Sequence, residues 1–150
     1  MTRIEKYKTF ELSTDKTRIN LETVHAFLSG SYWAAGIPKE LVAKSIKHSL
    51  TFSAYTGADQ VAFARVITDQ ATFAYLADVF VLPEHRDAGL GKALMQFIMT
   101  DPNLQGLRRF LLATKDAHGL YAQFGFTPLS HPDALMEINR QDTYRAAKER

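Results

Sequence analysis

The sequence predicts an α/β (α+β) protein built on a mixed, mostly antiparallel central sheet with helices on both faces. Three β-rich runs lie close together, Leu50 to Thr56, Gln60 to Thr68 and Ala71 to Val81. Their separators, Gly57-Ala58-Asp59 and Thr68-Asp69-Gln70, read as hairpin turns, so the runs form an antiparallel meander. Amphipathic helical patterns precede and follow this meander. A doubly wound sheet would alternate a helix with every strand, which the meander excludes.

In chain order, Lys6 to Leu12 roughly alternates apolar and polar residues and reads as an edge strand. Asn20 can cap a helix from Leu21 to about Leu28, stopped by Ser29-Gly30-Ser31. A second helix follows Pro38, with Leu41, Val42, Ser45, Ile46 and Ser49 at helical spacing. Tyr32-Trp33-Ala34-Ala35-Gly36 forms the loop between the two. After the meander, a helix begins near Gly89 with Leu90, Ala93, Leu94, Phe97 and Ile98 on one stripe. Asp101-Pro102-Asn103 ends it. Phe110 to Ala113 reads as a short buried strand, and Asp116 to Gln123 as a helix that Gly125 stops. Phe126 to Leu129 and Leu135 to Asn139 read as strands, and Asp142 to Arg150 as a polar helical tail.

Composition narrows the class. The 150 residues suit one domain with a real core, and 46% hydrophobic with 23% charged residues is ordinary for a globular chain. Eighteen Lys and Arg against 16 Asp and Glu leave a charge of +2 with no basic run, so a nucleic-acid surface is not expected. Without cysteine there is no disulfide framework and no thiol nucleophile, and the cytoplasm is the expected compartment. Met1 to Phe10 lacks the apolar run of a signal peptide, and no stretch has the length of a membrane span. The five histidines lack metal-ligand spacing and no Gly-x-Ser-x-Gly elbow occurs, so neither a metal nor a serine nucleophile is expected.

The chemistry concentrates at Arg86-Asp87-Ala88-Gly89-Leu90-Gly91-Lys92. Glycines between a strand and a helix let backbone N–H groups approach an anion at the helix N-terminus. A dinucleotide fingerprint would need glycine at position 94, which is Leu94. A Walker loop would need glycine at 86 and Ser or Thr at 93, which are Arg86 and Ala93. What remains, Arg-x-x-Gly-x-Gly after Val-Leu-Pro-Glu, resembles the acetyl-CoA loop of the GNAT superfamily of N-acetyltransferases. Ala77 to Arg86 is similar to the strand and bulged exit that precede this loop in the family, and Leu120-Tyr121-Ala122-Gln123-Phe124-Gly125-Phe126 to its second signature.

The resemblance implies acetyl-CoA as co-substrate and direct attack of an amine on its thioester. It implies that the main chain of Val79, Phe80 and Val81 pairs with the pantetheine arm like an added strand. Backbone N–H groups from Arg86 to Lys92 would surround the pyrophosphate, and an N–H near Val79 would serve the thioester oxygen. Tyr121 would protonate the departing thiolate. Asp78 is the first candidate base, with Glu84 or a water relay as alternatives. Simple alternation puts Asp78 with Leu76 and Phe80, away from Tyr75, Ala77 and Val79, unless a bulge intervenes.

Two positions depart from the family pattern. Asp87 stands where glycine is frequent, so its carboxylate is expected to point outward or cap the helix. Thr114 stands where asparagine often holds pantetheine. Phe124 belongs to the cofactor segment, and His118 is either a surface or a site-lining residue. On the acceptor side, Tyr32 and Trp33 either cover an organic amine or anchor the core. Arg65 interrupts an apolar strand, either to receive a substrate carboxylate or to face solvent. The expected substrate is a small-molecule amine, with a homodimer admitted. A CoA-binding module without transfer, a longer acyl-CoA and a protein amine are the alternatives.

Overall fold

The computed structural model describes residues 1–144. Six strands form one sheet in chain order: β1 (Ile4–Tyr7), β2 (Phe10–Ser13), β3 (Leu50–Thr56), β4 (Asp59–Thr68), β5 (Phe73–Val81) and β6 (Arg109–Leu112). Every neighbouring pair is antiparallel except β5 with β6, which is parallel and reached through a helix. The α/β expectation of a mixed, mostly antiparallel sheet therefore stands.

Helices α1 (Leu21–Ser29) and α2 (Lys39–Lys47) cover one face. Asn20 caps α1 by accepting from the Thr23 N–H, and Pro38 stands at the start of α2. Val24, Leu28 and Val42 from these helices bury themselves against Phe63 and Phe80 of the sheet. The opposite face carries α3 (Leu90–Met99) and the short α4 (His118–Ala122). The α3 stripe is wider than its sequence pattern indicates, since Met95 is buried together with Leu90, Leu94, Phe97 and Ile98. Each such side chain contributes about 1.5–3 kcal/mol by leaving water.

The edge strand expected over Lys6 to Leu12 is instead a hairpin. Lys8 takes φ = 53°, which turns the chain between β1 and β2. A left-handed lysine is uncommon enough that alternation alone does not reveal such a turn. The hairpin lies across α3 and touches both of its ends. Arg3 donates to the Phe97 carbonyl at 3.0 Å and to Asp101 at 2.9 Å, at the C-terminal end of the helix where a cation is favoured. Tyr7 and Lys8 meet the chain just before the N-terminal end.

Phe126 to Leu129 and Leu135 to Asn139 are not strands. Phe126 packs on the core against Phe110 and Tyr121, but the apolar residues of the second run stay in solvent: Met136 is 96% and Ile138 82% exposed. Alternation marks a strand only where an edge and a core are there to receive it. Of the tail helix expected over Asp142 to Arg150, residues 145–150 lie outside the described residues. No described helix is long and apolar enough to cross a membrane.

Candidate active site

The site begins with a change of phase inside β5. Ala74 and Leu76 point to the α3 face, and so do Val79 and Val81, whereas Phe80 and Leu82 point to the α1 and α2 face. Even positions face α3 before Ala77 and odd positions face it afterwards. Between the Phe63–Phe80 and Arg65–Ala77 pairs the register slips, so one extra residue is accommodated on β5. Asp78 absorbs it at φ = 57°. The simple alternation expected from sequence is thus corrected, because Leu76 and Asp78 do not share a face.

The bulge begins where the pairing on the other side of β5 ends. The parallel pairing with β6 runs from Phe73–Arg109 to Leu76–Leu112 and stops there. Beyond it β5 pairs, among the described residues, with β4 alone, leaving the other main-chain edge over Ala77 to Val81 without a described strand partner. Such an edge offers alternating donors and acceptors to an extended, amide-bearing ligand.

At the far end of that edge stands the glycine loop. Gly89 takes φ = 78° at the start of α3, and no side chain caps the helix. The first intrahelical bond runs from the Ala93 N–H to the Gly89 carbonyl, so the N–H groups of Leu90, Gly91 and Lys92 keep their donor capacity. Leu90 is buried and can offer only its backbone, while Lys92 is exposed in the first turn. This uncapped end, with the helix dipole behind it, suits a phosphate group.

Arg86 folds back and donates from Nε to the Val81 carbonyl at 2.9 Å, fixing the strand exit. Asp87 takes φ = 66°, the conformation that explains why glycine suits this position; aspartate tolerates it better than most residues. It is exposed and makes no cap to α3, so of the two expected placements only the outward one is seen.

Tyr121 is buried in α4, with its ring 6.1 Å from that of Phe126. Burial raises its phenol above the ordinary value, and Tyr32 and Asp116 add to the rise. The phenol is therefore protonated throughout the neutral range, as a proton donor must be. Thr114 accepts from the Ala117 N–H at 3.0 Å and shapes the turn into α4, which leaves its hydroxyl hydrogen available. Phe124 is half-buried against the core, and His118 is exposed.

Tyr32 and Trp33 stand together with ring centroids 5.1 Å apart, and Lys115 lies 5.3 Å from the Tyr32 ring centroid. Trp33 Nε1 donates to one oxygen of Asp78 at 2.9 Å, and Arg65 Nε donates to the other at 2.7 Å. Both sides of the Arg65–Asp78 pair are mostly buried, at 16% and 10% exposure. The structure thus joins three residues that sequence reasoning assigned separately, and the solvent-facing alternative for Arg65 does not hold.

Three features had no sequence signal. Tyr7 and Lys8 both donate to the Ala88 carbonyl, at 3.1 and 2.9 Å, so the β1–β2 hairpin holds the glycine loop. Phe27 of α1 stacks on Phe80 of β5 with centroids 4.1 Å apart. Trp33 borders a cavity of about 300 Å³ whose other walls, including Glu137, Asn139 and Tyr144, come from the C-terminal segment. These contacts span up to about a hundred residues, and only the hairpin turn and the sheet order bring them together.

An open sheet edge that ends at an uncapped, glycine-bounded helix suits a ligand that joins an extended amide-bearing arm to a phosphate group. Residues 47–128 match the model of the GNAT acetyltransferase domain. A Gibberella zeae protein assigned as an acetyltransferase is 32% identical over 135 residues, covering 75% of each chain. The chloroplastic GCN5-related N-acetyltransferase 1 of Arabidopsis thaliana is 31% identical over 72% of this chain and 57% of its own. Among solved structures, a Xanthomonas campestris protein assigned to the same family is 53% identical, with a TM-score of 0.90 over 93% of this chain and 99% of that one. The Neisseria gonorrhoeae N-acetylglutamate synthase, solved with coenzyme A and N-acetylglutamate, shares the fold at 19% identity and a TM-score of 0.68, over 95% of this chain and 33% of its own. The chain belongs to the GNAT acetyltransferase family.

Proposed function

We propose that this enzyme transfers the acetyl group of acetyl-CoA to a primary amine of a small molecule by direct attack on the thioester. The observation that carries the reading is the edge of β5 over Ala77 to Val81, which no described strand pairs with and whose Val81 carbonyl is held by Arg86, running from the Asp78 bulge toward the uncapped start of α3. Acetyl-CoA supplies an activated acyl group carried on an amide-bearing arm.

In this reading the main chain of Val79, Phe80 and Val81 pairs with that arm, flanked by Thr114 and Phe124. The backbone from Arg86 through Asp87, Ala88, Gly89, Leu90, Gly91 and Lys92 encloses the pyrophosphate. The Val79 N–H serves the thioester oxygen as negative charge develops on it. Tyr121 holds the proton that the departing sulfur takes up. Tyr32 and Trp33 orient the amine, whose own proton leaves through water in this reading, with Asp78 held by Trp33 and Arg65. We place the enzyme in the cytoplasm, acting as a monomer or a homodimer.

The test is to incubate the pure protein with acetyl-CoA and a panel of small amines while following free thiol. Thiol release that depends on the amine and is lost in Tyr121→Phe is expected. Coenzyme A binding without release across the panel would make the protein a binding module. Release only with longer acyl-CoA or with peptide N-termini would reassign the donor or the acceptor.

A further inference from the structure

We infer that Trp33, Asp78 and Arg65 form a clamp that ties the α1–α2 loop to the bulge of β5 and so positions the main chain of Val79. The catalytic consequence rests on the function proposed above; the clamp itself does not.

The backbone supplies the first reason. A non-glycine residue in the left-handed region is uncommon, even for aspartate, and it persists where its surroundings hold it there. Asp78 is held on both sides. Arg65 reaches across from β4 and engages one carboxylate oxygen with Nε, while its Nη1 donates to Ser49 Oγ at 3.2 Å. Ser49 in turn donates to the Ser45 carbonyl of α2 at 2.7 Å. The other carboxylate oxygen takes the indole N–H of Trp33, which comes from the α1–α2 loop. The bulge is thereby connected to the sheet, to the end of α2 and to the loop through one side chain.

A second attachment lies two residues further along. Phe27 of α1 stacks on Phe80 at an interplanar angle of 11° and also meets Trp33, with centroids 6.3 Å apart. The α1–α2 layer therefore grips β5 at Asp78 and at Phe80, on either side of Val79. A shift of the loop that carries Tyr32 and Trp33 moves the Val79 N–H with it. This assigns Asp78 and Arg65 as positioning residues: Asp78 is already engaged at both oxygens, and the charge of Arg65 is matched inside the protein.

Trp33 is the sole tryptophan in the chain, so its emission reads the clamp directly and without turnover. Asp78→Asn, Arg65→Met and Trp33→Phe are the variants, with circular dichroism to verify the fold of each. Both Asp78→Asn and Arg65→Met should red-shift the emission and raise its quenching by acrylamide. In both, kcat should fall by between about tenfold and a hundredfold, as expected for a small misplacement of reacting groups. The KM for acetyl-CoA should rise by less than kcat falls, because the Arg86 to Lys92 loop is untouched, the shape of the pH profile should stay as in the wild type, and the double variant should be no worse than the poorer single one. Trp33→Phe should show the same kcat loss with the carboxylate intact.

Unchanged emission in both folded charge variants would overturn the clamp. So would an Asp78→Asn enzyme that loses the acid limb of its pH profile while Arg65→Met works at full rate, since Asp78 would then be a base. If a charge variant does not fold, Trp33→Phe and Arg65→Lys decide in its place. Full activity in both overturns the proposal. If no amine is acetylated by any form, the proposed function fails while the emission result still decides the clamp.

Discussion

The phenol of Tyr7 donates to the carbonyl of Ala88 at 3.1 Å, so the N-terminal hairpin rests on the loop assigned to the pyrophosphate. Gly89 lies directly beneath that phenol, and a methyl group built there would run into the Tyr7 hydroxyl. Its φ of 78° adds a backbone cost of about 1–2 kcal/mol for any L side chain. Gly89→Ala is therefore expected to weaken coenzyme A binding and to lower Tm, while Tyr7→Phe, which loses only the hydrogen bond, should do so mildly. Titration calorimetry with coenzyme A and thermal melts check both. A Gly89→Ala protein with wild-type affinity would remove the loop from the binding site.

Asp87 carries its charge beside the same loop in a conformation that glycine adopts without strain. Asp87→Gly removes both the repulsion toward a phosphate and the backbone cost. Coenzyme A affinity should be preserved or tightened, most clearly at low salt where charge effects are least screened. A large loss of affinity would show that the carboxylate has a necessary partner.

Tyr121 fixes an expectation about pH. Its phenol is raised from its ordinary value near 10 by burial first and by Tyr32 and Asp116 second. The protonated form is the stable one in the fold, so the proton donor is fully present below pH ~10 and is lost as pH rises through the higher folded value. Tyr121→Phe should reduce kcat by about 10²–10⁴-fold and abolish the corresponding alkaline limb, with little change in coenzyme A affinity. A rate profile in the variant that parallels the wild type would assign the proton to another group.

The β4–β5 turn offers a control far from the loop. The Asp69 carboxylate accepts from the Thr72 hydroxyl and from the N–H groups of Thr72, Ala71 and Phe73, at 2.6 to 3.2 Å. These bonds hold its carboxyl well below the usual range. A depressed value means stability that is present above the unfolded pKa near 3.9 and is lost as pH falls below it. Asp69→Ala should lower Tm at neutral pH without altering coenzyme A affinity, and its Tm deficit should shrink steadily in acid below about pH 4. A deficit that stays constant with pH would assign the effect to lost side-chain packing.

Where local pattern governs the structure, the sequence was readable. Asn20, Pro38 and Gly89 mark helix starts through the chemistry of the main chain at those points, and the three-strand meander follows from its turns. The reading failed where a partner decides the outcome. Leu135, Met136 and Ile138 alternate like a strand but remain exposed, and Lys8 turns the chain without the glycine that usually announces such a turn. The site shows the same division. The loop from Arg86 to Lys92 and Tyr121 stand out as contiguous signatures, whereas the meeting of Trp33, Arg65 and Asp78 depends on contacts across 13 and 45 positions. Alternation along β5 left open whether a bulge intervenes, and the one extra residue at Asp78 changes which face every later side chain of β5 occupies.

That extra residue also sets a limit on how the strand can vary. With Asp78 deleted, β5 would match β4 residue for residue and alternate without interruption, so Val79 and Val81 would exchange faces with Phe80. The face that each later side chain of β5 presents is thus encoded by chain length, as one residue more than the β4 ladder needs. A substitution along β5 changes one side chain, whereas a single deletion at Asp78 would re-aim every side chain from Val79 onward.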